Sequence, residues 1–329
     1  MIISKTPLRI SFVGGGSDII DNHNKVGSVI SVTINKFVYV LLKKKFNDTY
    51  RLSYSKTENV KNVNKIKHNL IRNCIKYSKI KNGLEIVTVA DIPSSGSGLG
   101  SSSALTVGLL NCISKYNNKL KSANELALES YKIEKKIMKQ TLGYQDHANA
   151  SIGGFNQYFF KKNYINKTPI NLSDDFIKYF QKHILIFHTG VGRNADKILK
   201  KIKKPKNTII FSELQNLTTS FRKSLKKENI IDAAKIIDYN WYLKKKLDNS
   251  VYSDHINNIY QTAKKNGALS GKILGAGGGG HIMFIAEPKF HKKIMFSLKK
   301  LKRLEFEFEK NGTKIIYSDI KSNQNYYQS

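Results

Sequence analysis

The sequence predicts an α+β fold in two domains, and three observations carry that expectation. The first is length, because 329 residues exceed the common span of a single domain. The second is a mixture of patterns. Apolar, β-branched runs at 38–42, 85–89, 155–160 and 184–187 read as strands, and helical periodicity fills the intervals. The third is punctuation by three glycine-rich segments at 7–18, 92–104 and 271–284. They lie far apart and share no short period, which excludes a repeat array.

Among the helices, the clearest begin at Ser102, Ser122 and Ala195, and others cover 64–77, 210–224 and 254–266. Ser122 and Glu125 spell a capping box, so the start of that helix is well marked. A polar stretch at 161–175, containing Pro169 and several asparagines, is the expected boundary, giving domains of 1–170 and 171–329.

Composition narrows the class. Hydrophobic residues at 40% are ordinary for a packed protein and exclude general disorder. Cys74 and Cys112 have no CxxC or Cys/His spacing, so neither zinc nor a disulfide framework is expected. Lys5 and Arg9 interrupt any signal-peptide core, and no later apolar run reaches membrane-span length. A soluble cytoplasmic protein is the expectation. The formal charge of +32 raises a nucleic-acid partner, but the lysines recur in nearly every segment, including 43–45, 135–136, 200–204, 244–246 and 299–300. No arginine-rich stripe or aromatic platform gathers them, so they read as solvated surface.

The segment IPSSGSGLGSSSALTVGLL passes from an apolar approach through glycines 96, 98 and 100 into three serines and an amphipathic helix. Free backbone N–H groups and the positive end of the helix dipole make such a terminus a phosphate site. No Lys-Ser/Thr follows the glycines, which excludes a Walker A loop. The run 275–280 matches GxGxxG, yet the HIMFIAE after it reads as a strand and no helix opens there. Close backbone approach, to a ligand or to a neighbouring loop, is the better reading.

Three carboxylates stand out. Glu134 falls on the apolar arc of its helix, where a buried carboxylate needs a cation, either Arg/Lys or a metal. Asp146 sits at a loop-to-helix entry, as a helix cap or as a catalytic carboxylate. Asp18 follows three glycines, where it closes a turn or receives paired hydroxyls of a sugar. His147 shows no partner pattern and reads as structural or surface.

Together, PLRISFVGGGSD, GSGLGSSSALTVGLL, GYQDH and GKILGAGGGG resemble the GHMP kinase superfamily, in the same order and over essentially the whole chain. Within it they are most similar to the branch acting on D-glycero-α-D-manno-heptose 7-phosphate, and also to the kinase part of bacterial fucokinases. The resemblance implies an N-terminal domain like ribosomal protein S5 domain 2 and a ferredoxin-like C-terminal domain. It implies ATP and Mg²⁺, with Ser95, Gly96, Ser97, Gly98, Leu99, Gly100, Ser101, Ser102 and Ser103 around the ATP phosphates. Ser102 and Glu134 would hold the metal, Asp146 would be the general base, and Arg9 would support it. Gly15, Gly16, Ser17 and Asp18 would hold sugar hydroxyls, with Gly277 and Gly278 of the third motif shaping the substrate side. Arg193, at an expected helix start near Asn194, would grip the 7-phosphate, or else serve as a structural helix-start arginine. The product would be the 1,7-bisphosphate, on the way to a GDP-activated heptose for surface polysaccharide. Ser17 where threonine is common, and Tyr144 where lysine often precedes the Gln-Asp pair, bear on substrate identity. Two alternatives are a kinase for an unphosphorylated sugar such as fucose or galactose, and a non-catalytic basic protein binding nucleic acid or acidic polysaccharide.

Overall fold

The computed structural model describes residues 1–19, 26–92, 96–192 and 195–320. Strand β1 (Ile2–Val13) pairs antiparallel with β2 (Gly27–Lys44), an 18-residue strand at the centre of the first sheet. The first half of β2 is buried on both faces, so it reads as a continuous run of small and branched residues without alternation. A hairpin of β3 (Tyr50–Ser53) and β4 (Thr57–Val60) precedes helix α1 (Asn69–Tyr77) and strand β5 (Leu84–Ala90). The single helix expected over 64–77 is broken. Glu58 accepts the backbone N–H groups of Lys67 (2.6 Å) and His68 (3.0 Å), which holds the chain extended before α1 begins.

Helices α2 (Ser101–Tyr116), α3 (Ala123–Lys132) and α4 (Gln145–Ile152) then pack together beneath the sheet, followed by β6 (Phe155–Lys161) and β7 (Tyr164–Pro169). Gly108 lets α2 lie close on β1, since a Cβ there would stand 2.7 Å from the Thr6 hydroxyl. The second half comprises α5 (Asp174–Lys182), β8 (Ile184–His188), α6 (Ala195–Ile202), α7 (Thr208–Lys226), α8 (Ile230–Leu247) and α9 (Asp254–Lys265). After these come β9 (Ala268–Ile273), β10 (His281–Ala286), α10 (Pro288–Ser297), β11 (Phe308–Glu309) and β12 (Lys314–Ser318).

Among the described residues, nine strands form one mixed sheet along β12-β1-β2-β5-β3-β4, with β6 and β11 also on β2 and β7 on β6. The second sheet is β8-β10-β9, and an isolated bridge joins Phe187 to Arg303 on the outer edge of β8. Counting that bridge as a residual strand, the order β-α-β-β-α-β is ferredoxin-like, with extra helices between its first two strands. The fold is therefore α+β, as expected. Strand β7 lies inside the stretch read as a boundary, and β11 and β12 return to the first sheet, so residues 308–318 join the layer built by the first half. The core also runs across both halves. Phe12, Phe155, Phe180, Phe221 and Phe308 come from five elements and pack with ring centroids 5.4–6.5 Å apart. Pairs of this kind contribute about 0.5–1.5 kcal/mol each beyond area burial, so the cluster ties the first sheet to helices α5 and α7 of the second half. Among the described residues, no helix is long and apolar enough to cross a membrane.

Candidate active site

A cleft of about 380 Å³ opens where the three glycine-rich segments converge, a size suited to a small-molecule ligand. One wall is the second segment. Gly100 caps α2 in the left-handed conformation (φ +81°), which turns the chain so that Ser101, Ser102 and Ser103 form the first helical turn at the cleft. Backbone N–H groups in that turn have no acceptor within the helix, and the dipole favours an anion there. Gly96, Ser97 and Gly98 also line the cleft, whereas Leu99 is fully buried in the core. Ser95 lies outside the described residues.

Arg9 comes up from β1 beneath this loop. Its backbone N–H donates to the Leu99 carbonyl (3.0 Å) and its Nη1 to the Gly98 carbonyl (2.6 Å). The same guanidinium contacts Asp146 Oδ1 through Nε (2.9 Å) and Nη2 (2.6 Å). One buried cation thus joins the glycine-rich loop to the carboxylate. Asp146 does not cap α4: Tyr144 occupies that position and Asp146 stands in the first turn, which suits an anion.

Asp18 is buried next to this pair, accepting the N–H groups of Gly16 (3.0 Å) and Gln145 (3.1 Å). Burial, opposed by those bonds and aided by the Asp146 charge, holds its carboxyl above the ordinary range. Gly16 and Asp18 line the cleft. Gly15 and Ser17 support the turn instead: Ser17 Oγ donates to the carbonyls of Gly14 (2.8 Å) and Ser28 (2.9 Å), and Gly15 packs near Ser11 and Gln145.

Glu134 lies in a widened helical turn, Ile133–Ile137, that continues α3, an irregularity often found at functional sites. Of the two alternatives for its partner, the Arg/Lys one is not seen among the described residues. Thr106 and the fully buried His147 contact Oε1, at 2.5 and 3.1 Å, and Ser102 Oγ donates to Oε2 (3.2 Å). Oε2 and the Ser102 hydroxyl are therefore the pair turned to the cleft, which both residues line. One carboxylate and one hydroxyl suit Mg²⁺, a hard cation that commonly takes one or two protein oxygens beside substrate phosphates. Among the described residues, no cluster of three or more His, Cys, Asp or Glu forms an all-protein metal cage.

The third segment braces the phosphate loop. His281 donates its backbone N–H (3.1 Å) and ring Nδ1 (2.7 Å) to the Ser97 carbonyl, and a Cβ on Gly280 would stand 2.6 Å from the Gly96 and Ser97 carbonyls. Gly275 and Ala276 line the cleft. Gly277 and Gly278 stand apart from it, packed on Val251 and on Ile198 with Ser250. Arg193 and Asn194 lie outside the described residues.

Several residues that build the site escaped the sequence reading. Thr106 is four residues after Ser102, so helical spacing alone places it on the same face. His147 gave no signal beyond its place after Asp146; it is neither a surface residue nor without a partner. Lys244 was counted among solvated lysines, yet it is 3% exposed, lines the cleft and donates to the Gly275 carbonyl (2.6 Å). Neither cysteine belongs to the site; both are buried, and burial pushes the Cys112 thiol up to about 12.

A two-sheet α+β fold with a glycine-rich helix start beside an Arg-Asp pair defines a class of phosphate-transfer enzyme, and comparison with known proteins agrees. The family profile for the GHMP kinases N terminal domain matches residues 64–154, and that for the GHMP kinases C terminal matches 221–297. The chain belongs to the GHMP kinase family, whose members use ATP as phosphate donor.

A D-glycero-alpha-D-manno-heptose 7-phosphate kinase of Campylobacter jejuni is 27% identical over 95% of this chain and 98% of its own. A mevalonate kinase of Methanocaldococcus jannaschii is 27% identical over 70% of this chain and 71% of its own. Among solved structures, a putative sugar kinase from Campylobacter jejuni superposes with TM-score 0.77 at 26% identity, covering 95% of this chain and 97% of that one. A D-glycero-D-manno-heptose 1-phosphate kinase from Bacteroides thetaiotaomicron gives TM-score 0.80 over 97% of this chain and 100% of that one. At 22% identity, that likeness speaks for the fold alone.

Proposed function

We propose that this kinase transfers the γ-phosphate of ATP to the anomeric C1 hydroxyl of D-glycero-α-D-manno-heptose 7-phosphate. The product is the 1,7-bisphosphate, an intermediate for a GDP-activated heptose in surface polysaccharide synthesis. The observation that carries the chemistry is the shared guanidinium of Arg9, which ties the glycine-rich loop at Gly98 to the carboxylate of Asp146. The full-length likeness to a heptose 7-phosphate kinase supports the substrate.

Both Arg9 contacts fall on Oδ1, so Oδ2 of Asp146 receives the hydroxyl proton while Arg9 stabilises the anion it leaves. Backbone N–H groups at residues 96–103 bear phosphate charge, and Asp18 with Gly16 orients sugar hydroxyls. Ser102 and Glu134 hold Mg²⁺, which when bound neutralises charge on the nucleotide phosphates. Positioning and electrostatics supply most of the rate in reactions of this class.

The test is a panel of sugars assayed with ATP and Mg²⁺ by ³¹P NMR, containing heptose 7-phosphate, heptose 1-phosphate, free heptose, fucose and galactose. Both monophosphates belong in it because the relatives are named for different ones. A new C1 phosphate on heptose 7-phosphate is the expected result; efficient turnover of another sugar alone would replace the substrate. Truncating Asp146 would strand a buried arginine at a cost of about 3–5 kcal/mol, so Asp146→Asn is the informative variant. It should lower kcat about 10²- to 10⁴-fold with ATP binding retained, and a wild-type single-turnover rate would remove Asp146 from the chemistry.

A further inference from the structure

Lysines 244–246 look alike in sequence, but α8 sorts them. Its inward face carries Asn240 and Lys244, one turn apart and therefore stacked on the same side. Asn240 Oδ1 accepts the N–H of Gly14 (3.0 Å), at the start of the turn leading to Asp18. One turn on, Lys244 reaches the cleft wall and donates to the Gly275 carbonyl (2.6 Å), which fixes its ammonium on the third glycine-rich segment, in the cleft that Gly16 and Asp18 also line.

The side chain is almost fully buried, so its charge is weakly screened. A neighbouring buried ammonium registers that field. Lys272 donates to the carbonyls of Ser11 (2.8 Å) and Phe12 (2.7 Å), and burial, then the charges of Lys244 and Arg9, holds it well below the ordinary lysine range. Two almost fully buried cations, Arg9 and Lys244, line the cleft, which suits a ligand carrying negative charge. The first turn of α2 already offers backbone N–H groups to nucleotide phosphates from the other segment, which leaves Lys244, on the helix that holds the Gly14 turn, for the acceptor.

We propose that Lys244 binds the phosphate the acceptor sugar already carries and so selects a sugar phosphate over the bare sugar. The inference rests on the sugar-phosphate reading given above. An ammonium serves as a point charge for a phosphate monoester without needing bidentate geometry.

The experiment compares wild type, Lys244→Gln and Lys244→Arg on heptose 7-phosphate and on free heptose, with ATP varied separately and Tm recorded. Gln removes the charge and leaves a neutral donor one bond shorter; Lys244→Met, apolar and also one bond shorter, replaces it if the Gln variant does not fold. A charge-assisted contact corresponds to about a ten- to hundredfold effect. The expected result is a rise of that size in KM for heptose 7-phosphate, an unchanged KM for ATP, unchanged kinetics on free heptose, and partial rescue by Arg. Thermal stabilisation by heptose 7-phosphate without ATP should fall in parallel. Equal losses on both sugars, or a rise confined to the KM for ATP, overturns the proposal. A wild type that prefers the sugar phosphate, with a neutral variant just as selective, overturns Lys244 alone. A wild type that prefers the bare sugar overturns the proposal together with the reading beneath it.

Discussion

At Asp18, burial favours the acid while the N–H groups of Gly16 and Gln145 favour the anion, and burial is the larger influence. Its carboxyl therefore titrates above the ordinary value of 3.8. The native state binds the extra proton, so this contribution to stability is complete below 3.8 and is lost as pH rises through the raised value. Asp18→Asn is neutral throughout and escapes that loss. It gives up one acceptor, a pH-independent cost of about 1–3 kcal/mol. The Tm advantage of wild type over the variant should accordingly shrink from acid to neutral pH in scanning calorimetry, and a constant gap would show that Asp18 ionises as it does in the unfolded chain. Whereas Arg9 came only from the family resemblance, Asp18, Glu134 and Asp146 could be picked out in the sequence because a carboxylate on an apolar arc or beside a glycine-rich turn needs a reason. His147 could not, since a histidine beside an aspartate has no periodic signature. Lys244 was hidden by its neighbours, for a lysine run gives no hint of which member the helix turns inward.

Elements defined by local chemistry were readable, and those defined by the sheet were less so. The capping box at Ser122 and the serine cap at Ser253 mark helix starts within a residue or so of the expected positions, because caps act over one turn. β1 and the first half of β2 were missed as strands: from Thr6 onward in β1, and through the first half of β2, double-sided burial removes the alternation that identifies a strand. The break before α1 depends on Glu58, a carboxylate from a different hairpin, and no local propensity encodes it. At the junction of β10 with the phosphate loop, Gly280 has φ +81° and no room for a Cβ. Gly280→Ala should displace residues 96 and 97, raise the KM for ATP at least about tenfold, and cost about 1–3 kcal/mol in stability. Steady-state kinetics and a denaturant titration measure the two effects, and a variant with normal ATP affinity would show that the loop keeps its shape without this brace.

Across the whole molecule, composition foretold a packed protein and the mixture of strand and helix patterns an α+β one, but neither foretold that the last strands rejoin the first sheet, since strand pairing over such a separation leaves no trace in local pattern. The charge of +32 was read as diffuse surface, and among the described lysines Lys244, at the cleft wall, and Lys272, buried behind it, are the exceptions. Retention on DNA should therefore be weak and disappear as salt approaches physiological strength, because it rests on counterion release alone. Tight binding to one sequence at that salt, measured by fluorescence anisotropy, would revive a nucleic-acid role. The phosphate loop is gripped by Arg9 of the first sheet and by His281 of the second, over a core that both share. A nucleotide seated there acts as a rivet through two plates. Its binding energy, about 2.7 kcal/mol at a hundred times its Kd, is distributed to both halves, so heating would part them together, at one temperature that climbs with nucleotide concentration.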